Sequence, residues 1–300
     1  MNILEVKNLS LAFRMYDGAF SRRDLSVLTN LSITVRGGEI LAVAGSSGSG
    51  KSLLAHAILG ILPKNAVTGG ELFWCGERLT PKLQQKLRGK DLAFVPQSVT
   101  YLDPLIRVGR QVTKDDKRLA DLFFRYHLKK EVARQFPHEL SGGMTRRILI
   151  SAALAGNPKL VIADEPTPGL SPHLAEHAMK HFREIADSGA AVLLITHDID
   201  LAIRFADRVA VFYAGTTVET ANASDFADEN LLRHPYSRVL YRAMPQNGFA
   251  PAVGSQPYAG ALPRGCLFAP RCEKCTAECT KAPPAPRVVR GGEVCCRHAA

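Results

Sequence analysis

A glycine-rich loop near the start of the chain reads Gly45-Ser46-Ser47-Gly48-Ser49-Gly50-Lys51-Ser52. It fits the pattern G-x-x-x-x-G-K-[ST] without a mismatch, and it stands between a short apolar run, residues 39–44, and a helical pattern, residues 53–61. In such a loop the glycines let the backbone curl, so that consecutive N–H groups and the helix N-terminus face a phosphate anion. Lys51 reaches the outer phosphates, and the Ser52 hydroxyl can bind magnesium. The loop therefore predicts a nucleoside triphosphate site.

A second element supplies two carboxylates. Four apolar residues, 160–163, are followed directly by Asp164 and Glu165. We expect Asp164 to hold the magnesium ion, and Glu165, one residue further and on the other side of the strand, to polarise an attacking water molecule. An acidic turn after a buried strand is the alternative interpretation. Beside the phosphate loop, the pair indicates hydrolysis of the nucleotide rather than its storage.

Apolar runs alternate with a helical pattern along the chain. Residues 1–13 and 31–35 read as strands before the loop, and residues 160–163 and 190–195 read as buried strands after it. Residues 172–188, between the last two runs, have helical rhythm. Strand, helix and strand in this order predict βαβ units in a parallel sheet, and hence an α/β fold.

Length and composition limit the classes of protein. Three hundred residues, 46% hydrophobic and 22% charged, suffice for a large α/β domain with an appendage and exclude disorder throughout. The apolar runs are far shorter than the roughly 18–20 residues that cross a bilayer, and residues 1–6 lack a secretory pattern. We therefore expect a cytoplasmic location. The net charge of +10 fits a solvated surface, nucleic acid, acidic lipid or a phosphorylated ligand.

Three further motifs carry a resemblance to a known family. Leu140-Ser141-Gly142-Gly143-Met144 resembles the signature loop of the ATP-binding cassette (ABC) family, usually L-S-G-G followed by Gln. Gln97 follows the apolar run 92–95, as the Q-loop of that family does, and His197 follows residues 193–196, as its switch histidine does. The resemblance implies the P-loop ABC ATPase fold, with a mixed-sheet core, an antiparallel β subdomain and a short helical subdomain.

The resemblance also implies roles for these residues. Two subunits would face each other head to tail, so that Ser141, Gly142 and Gly143 of one contact the γ-phosphate bound at Lys51 of the other. Glu165 and His197 would be catalytic, and Ser52, Gln97 and Asp164 would hold Mg²⁺. Phe13 would stack on adenine, although Phe13 could equally be a core residue and Tyr16 could take its place. The expected ATP-binding residues are Phe13, Gly45, Ser46, Ser47, Gly48, Ser49, Gly50, Lys51, Ser52, Gln97, Ser141, Gly142, Gly143 and Asp164.

The C-terminal part is similar to that of the oligopeptide, dipeptide and nickel importer ATPases. It contains the H-P-Y segment 234–240, followed by Leu-Pro-Arg-Gly-Cys at 262–266 and Phe-Ala-Pro-Arg-Cys at 268–272. The resemblance covers essentially the whole chain and implies the ATPase subunit of an importer for oligopeptides, dipeptides or nickel, with peptides slightly favoured. The alternative is a soluble cassette ATPase that acts on nucleic acid or ribosomes, although such proteins usually carry two cassettes in one chain.

We divide the chain into an ABC ATPase domain, residues 1–230, with a helical subdomain at 98–140, and an extension, residues 231–300. Residues 249–263, rich in Pro, Gly and Ala, read as a linker. The resemblance implies a second ABC ATPase subunit, in a homo- or heterodimer, two membrane permease subunits and, indirectly, an extracytoplasmic solute-binding protein as partners, and no nucleic acid. It places the chain peripherally on the cytoplasmic face of the inner membrane.

Two departures from the family pattern stand out. Gly169-Leu170-Ser171-Pro172 stands where the family's D-loop usually ends in Leu-Asp, and Pro172 cannot make the carboxylate contacts of aspartate across a dimer. This change would weaken communication between two ATP sites or require a partner with a standard loop. The stretch from Gln97 to Leu140 is short for the helical subdomain, which suggests a trimmed docking surface.

Six of the seven cysteines fall between Cys266 and Cys296, so the extension is Cys-rich from residue 266. Cys266, Cys272 and Cys279 with Cys296 (or Cys295) match the cysteine pattern of the family's tail, which implies an iron-sulfur cluster in some members. The spacing of Cys272, Cys275 and Cys279 would equally allow zinc. Free thiols are the next alternative, and disulfides are disfavoured in the cytoplasm.

Overall fold

The computed structural model describes residues 1–17, 21–250 and 253–299. Within this part, two sheets are flanked by helices. The strands are β1 (Asn2–Asp17), β2 (Ser21–Arg36), β3 (Ile40–Gly45), β4 (Ala66–Trp74), β5 (Glu77–Arg78), β6 (Leu92–Val95), β7 (Leu160–Asp164), β8 (Ala191–Thr196), β9 (Arg208–Tyr213), β10 (Thr216–Asn222), β11 (Arg287–Val289) and β12 (Gly292–Val294). The helices are α1 (Lys51–Leu59), α2 (Pro81–Leu87), α3 (Val108–Val112), α4 (Asp116–Arg125), α5 (Gly142–Ala153), α6 (Pro172–Asp187), α7 (Ile199–Phe205), α8 (Pro235–Arg242) and α9 (Ala277–Lys281).

The larger sheet has the strand order β11-β12-β10-β9-β3-β8-β7-β6. The pairs β3–β8, β3–β9, β7–β8 and β6–β7 are parallel, and the pairs at the β10 end are antiparallel. Every residue of β3, β7 and β8 is buried, which explains their continuous apolar runs. The expected mixed sheet with βαβ units is therefore confirmed, and the carboxyl ends of β3, β7 and β8 lie along one edge.

The smaller sheet, of order β2-β1-β4-β5, is antiparallel, as expected. Its buried side chains, among them Leu4, Leu28 and Leu31, share one apolar cluster with Leu41 of β3 and Leu54 of α1. Strand β2 begins well before the predicted residue 31. Much of residues 23–30 is polar and exposed, so this half of the strand lacks the alternation that sequence reasoning needs.

Helix α1 spans Lys51–Leu59 rather than the predicted 53–61. It ends at Gly60, whose φ of +65° is the left-handed conformation of a helix cap. The N–H of Gly60 donates to the carbonyl of Ala57, and that of Ile61 donates to the carbonyl of His56. The helix therefore ends before the predicted residue 61, because the glycine cap stops it earlier.

A short helical region lies between β6 and α5 and contains α3 and α4. Arg118 donates to the carbonyls of Leu154 and Ala155, and the Tyr126 hydroxyl bonds to Nδ1 of His181. These contacts fix the region on α5 and α6. The limits at residues 98 and 140 stay predictions.

The C-terminal residues extend the larger sheet, because β12 pairs with β10. Arg233 joins residues 219–225 to the C-terminal residues. Its guanidinium lies 3.2 Å from Oε1 of Glu219 and 2.8 Å from Oδ2 of Asp225. It also donates a hydrogen bond to the carbonyl of Arg290. Residues 251–252 of the predicted linker lie outside the described residues, and the rest of 249–263 forms no helix or strand. In the described part, no helix is both long and apolar enough to cross a membrane. The domain limit at residue 230 stays a prediction.

Candidate nucleotide-binding and hydrolysis site

The phosphate loop connects β3 to α1, as the motif requires. A Cβ at Gly45 would lie 2.3 Å from the carbonyl oxygen of Phe212, on the neighbouring strand. Gly50 has a φ of +93°, and a Cβ there would lie 2.3 Å from Cδ2 of Leu28. Any other residue would clash at these two positions. Glycine therefore lets the backbone turn tightly from the sheet into the helix.

Lys51 lies inside this turn and is buried. Its Nζ donates to the carbonyls of Gly45 and Ser46 at 2.8 and 3.0 Å. Burial lowers the pKa of Lys51, and the nearby carboxylates of Glu165 and Asp164 raise it. The only charged group of the loop therefore faces the carboxylates at the end of β7.

Asp164 ends β7 and is 2% exposed. Burial raises its pKa, a hydrogen bond from Ser52 lowers it, and the neighbouring Glu165 carboxylate raises it. Its Oδ1 atom is buried and has no hydrogen-bond partner among the described residues. A buried, unpaired carboxylate oxygen beside a hydroxyl is a donor set that fits Mg²⁺, which prefers oxygen ligands.

Glu165 and His197 follow adjacent parallel strands and meet at the edge of the sheet. Oε2 of Glu165 lies 2.8 Å from Nδ1 of His197. Glu165 has a φ of +48°, and its N–H donates to the carbonyl of Ile195. A left-handed conformation costs a non-glycine residue on the order of 1–3 kcal/mol. In this conformation the side chain of Glu165, which is 7% exposed as a residue, lies against the exposed His197. The two expected catalytic residues are therefore brought together.

Arg146 is a residue to which sequence reasoning gave no role. It lies in α5, directly after the signature loop, and is 6% exposed. Its guanidinium donates to the carbonyls of Pro96 and Gln97, both at 2.6 Å. Burial lowers its pKa, and Asp164 and Glu165 raise it. Arg146 therefore binds the helix after the signature to the backbone of the Q-loop. The side chain of Gln97 is exposed, and its role as a Mg²⁺ ligand stays a prediction. The sequence signal that could have found Arg146 is a basic residue among the apolar residues of a helix.

The signature loop starts α5. Ser141 is the N-cap, and its hydroxyl accepts from the N–H of Met144. A Cβ at Gly143 would lie 3.1 Å from the carbonyl oxygen of Gly169, so the signature packs closely against the D-loop. Ser141 and Gly142 are exposed. Their contact with a nucleotide on another subunit stays a prediction.

The unusual D-loop leads into α6, with Ser171 as N-cap and Pro172 as the first helical residue. Proline suits this position because its fixed φ is helical and its missing N–H would have no partner within the helix. The substitution is therefore compatible with the local fold. Its effect on communication between two sites stays a prediction.

Phe13 lies in β1, opposite Leu25 of β2 and Ala66 of β4. It is half-buried against the apolar cluster of the smaller sheet, whereas the side chain of Tyr16 is 74% exposed. Stacking of Phe13 on adenine stays a prediction, with Tyr16 as its alternative.

Four tail cysteines line one small cavity of about 20 Å³, and they are the predicted set Cys266, Cys272, Cys279 and Cys296. Burial raises the pKa of Cys266, Cys272 and Cys296, and hydrogen bonds from Thr276 lower that of Cys279. All seven cysteines are free thiols. However, no group of three or more His, Cys, Asp or Glu side chains in the described part is arranged to hold a metal ion.

Two family models match the chain. The model described as "ABC transporter" matches residues 28–168, which contain the phosphate loop, the signature, Asp164 and Glu165. The model described as "Oligopeptide/dipeptide transporter, C-terminal region" matches residues 218–279, which contain the H-P-Y segment.

Similarity to named proteins extends over most of the chain. A protein of Brucella melitensis, whose name describes a peptide import ATP-binding protein, is 36% identical over 309 residues, covering 94% of this chain and 90% of the relative. The oligopeptide transport ATP-binding protein OppD of Escherichia coli is 34% identical over 307 residues, covering 94% of this chain and 89% of OppD. A solved dimeric ATP-binding cassette, in a post-hydrolysis state with ADP and Pi, has a TM-score of 0.65 and 25% identity and covers 73% of this chain and 98% of that cassette. With these matches and the geometry above, the chain belongs to the ABC transporter family of ATPases and carries the C-terminal region of its oligopeptide/dipeptide transporter branch.

Proposed function

We propose that this chain is the ATP-hydrolysing subunit of an importer for oligopeptides or dipeptides. The contact between Glu165 and His197, beside Lys51 and Asp164, supports hydrolysis most directly. The names of the relatives concern peptide import and oligopeptide transport, which favours peptides over nickel. The same names and family models describe transport, so nothing supports the alternative of an ATPase that acts on nucleic acid or ribosomes.

In this proposal the phosphate loop and Lys51 bind the triphosphate. Ser52, Asp164 and Gln97 would hold Mg²⁺, which would neutralise charge on the phosphate oxygens. Glu165 accepts a proton from the attacking water, and His197 keeps the carboxylate oriented.

A second cassette completes the site. The signature residues Ser141 and Gly142 are exposed at the start of α5, where a helix N-terminus favours an anion. Similarity to a dimeric cassette bound to ADP and Pi supports a head-to-tail dimer of ATPase subunits. In that dimer, Ser141, Gly142 and Gly143 of one subunit contact the nucleotide at Lys51 of the other.

The surface directly after the Q-loop is suited to a membrane permease. Val99, Tyr101, Leu105 and Ile106 are large apolar side chains that are exposed within one short segment, and Leu105 is 84% exposed. An exposed apolar patch of this kind marks a binding surface. We infer that this patch docks one of two permease subunits, that a solute-binding protein delivers the solute to them, and that the chain works at the cytoplasmic face of the inner membrane. ATP binding and hydrolysis would be transmitted through the Q-loop to this patch.

We propose that the cysteine cavity binds an iron-sulfur cluster or zinc. Four thiols around one cavity match the number and type of ligand that either group needs. Their sulfur atoms do not yet form a ligand set, so the side chains must turn to bind it. Anaerobic purification with an absorbance spectrum and metal analysis tests this. A colourless protein without iron or zinc contradicts it.

Solute uptake tests the proposed function. In cells that lack this gene, uptake of a labelled tripeptide should fall, and the wild-type gene should restore it whereas Glu165→Gln should not. Labelled nickel serves as the parallel solute. If the wild-type gene restores nickel uptake but not peptide uptake, the transported solute is nickel. If it restores neither, the proposed importer function is contradicted.

A further inference from the structure

A stretch of the extension lies against the phosphate loop. The side chain of Gln256 makes two hydrogen bonds there: its Oε1 accepts from the hydroxyl of Ser46 at 3.0 Å, and its Nε2 donates to the carbonyl of Ser47 at 3.3 Å. A Cβ at Gly48 would lie 3.3 Å from the same Nε2 atom. The amide of Gln256 therefore packs directly on the loop backbone, more than two hundred residues away in sequence.

These bonds set the direction of a peptide group. The peptide bond between Ser47 and Gly48 is trans and planar, so its C=O and N–H point to opposite sides. Gln256 holds the carbonyl on its own side of the loop backbone, and the N–H of Gly48 must then point away from Gln256. Backbone N–H groups of such a loop are the groups that a phosphate anion binds.

The stretch that carries Gln256 is itself fixed at both ends. The carbonyl of Val253 accepts from Nε of Arg271 at 2.7 Å, and the carbonyl of Gly260 accepts from Nη2 of Arg23 at 2.6 Å. Arg271 directly precedes Cys272 of the cysteine cavity. The position of Gln256 thus depends on the C-terminal part of the extension.

A second side chain of the extension reaches the same loop residue. Burial raises the pKa of the Tyr236 hydroxyl, and hydrogen bonds to the side chain and backbone of Ser46 lower it. The Tyr236 ring lies 4.5 Å from that of Tyr213 and 5.4 Å from that of Phe268, which also lines the cysteine cavity. Packed side chains therefore connect the cysteine cavity to Ser46.

We propose that Gln256 is a positioning residue of the nucleotide site, through which the C-terminal extension sets the affinity of the phosphate loop for ATP. The inference rests on the proposed function, because it requires that ATP binds at this loop. Gln256 orients the Ser47–Gly48 peptide before the nucleotide arrives, and a pre-organised loop binds its ligand more tightly.

The test compares Gln256→Ala with the wild type in the full-length protein. Loss of two neutral hydrogen bonds should raise the KM for ATP by about five- to tenfold and leave kcat within about twofold. Asn247→Ala is the matched control, because among the described residues the Asn247 amide bonds only to the carbonyl of Tyr241, within the extension. The control should keep the wild-type KM. An equal KM in Gln256→Ala and wild type, or a loss confined to kcat, would overturn the inference.

A double-mutant cycle with Ser46→Ala distinguishes positioning from general destabilisation. If Gln256 acts through Ser46 and Ser47, its effect on KM should be smaller in the Ser46→Ala background. Full additivity, or an equal loss in Asn247→Ala, would contradict the inference. Lys51→Ala separates the two proposals: if it abolishes ATP binding while Gln256→Ala changes nothing, only the inference fails, and if Lys51→Ala binds ATP normally, the proposed function fails.

Discussion

Oε2 of Glu165 lies 2.8 Å from Nδ1 of His197, across the adjacent parallel strands β7 and β8. Asp164 pairs in register with Ile195, so the two residues emerge at the same end of the sheet. The N–H of Glu165 donates to the carbonyl of Ile195 and holds the acidic residue in its left-handed conformation. The histidine can therefore orient the carboxylate without entering the buried site.

His197→Ala should lower the rate of ATP hydrolysis at least about tenfold, because Glu165 loses the partner that orients its carboxylate. The affinity for ATP should stay close to that of the wild type. Residues that act as a unit are non-additive, so the double variant with Glu165→Gln should be no slower than Glu165→Gln alone. Phosphate release measured for the three variants checks this, and additive losses would contradict a shared role.

Asp164→Asn should remove the dependence of ATP affinity on Mg²⁺. Asparagine keeps the size of the side chain and can still bond to Ser52, but it lacks the charge that a hard cation prefers. The wild type should bind ATP at least about tenfold more tightly in Mg²⁺ than in EDTA, whereas the variant should bind equally in both. A fluorescent ATP titration measures both conditions. The same gain from Mg²⁺ in the variant would remove Asp164 from this role.

Arg233→Met should destabilise the fold by about 3–5 kcal/mol, because it leaves Glu219 charged and buried without its counter-ion. The side chains of Arg233 and Glu219 are 2% and 0% exposed. Arg242→Met is the control, since Arg242 pairs with Glu229 at the surface and its side chain is 48% exposed. The control should cost less than about 1 kcal/mol in urea unfolding. Equal losses of unfolding free energy in the two variants would contradict the role of Arg233 as the buried counter-ion of Glu219.

Stability should fall in acid through His181. Burial and the nearby Arg125 lower the pKa of His181 to about 4, from its ordinary value of 6.5. Between these values the unfolded chain binds a proton that the folded chain does not, so stability rises with pH. This one group should remove up to about 3 kcal/mol of unfolding free energy as the pH falls from 6.5 to 4. The curve of His181→Gln should therefore be flatter over this range, and parallel curves would contradict the assignment.

Local signals explain which features the sequence could predict. The phosphate loop, β7 and the pair Asp164 and Glu165 are contiguous motifs whose chemistry follows from their own residues. The bonds from Arg146 to the Q-loop and from Gln256 to Ser46 join distant segments and leave no local pattern. They depend on tertiary packing, which a single sequence does not show.

The cysteine tail illustrates the same limit. Cys295 and Cys296 are adjacent, and spacing alone left both open as the fourth thiol. The N–H of Cys295 donates to the carbonyl of Val218, which continues the extended pairing with β10. Because adjacent side chains of an extended chain point to opposite sides, Cys296 lines the cavity and Cys295 lies outside it.

In the proposed function, Glu165 acts as the general base in ATP hydrolysis, and the decisive measurement of this role is the rate of phosphate release by Glu165→Gln. Glutamine keeps the shape of the side chain but cannot accept the proton of water. The variant should release phosphate on the order of 10²- to 10⁴-fold more slowly than the wild type and bind ATP with an unchanged dissociation constant. Phosphate release at the wild-type rate would contradict the account.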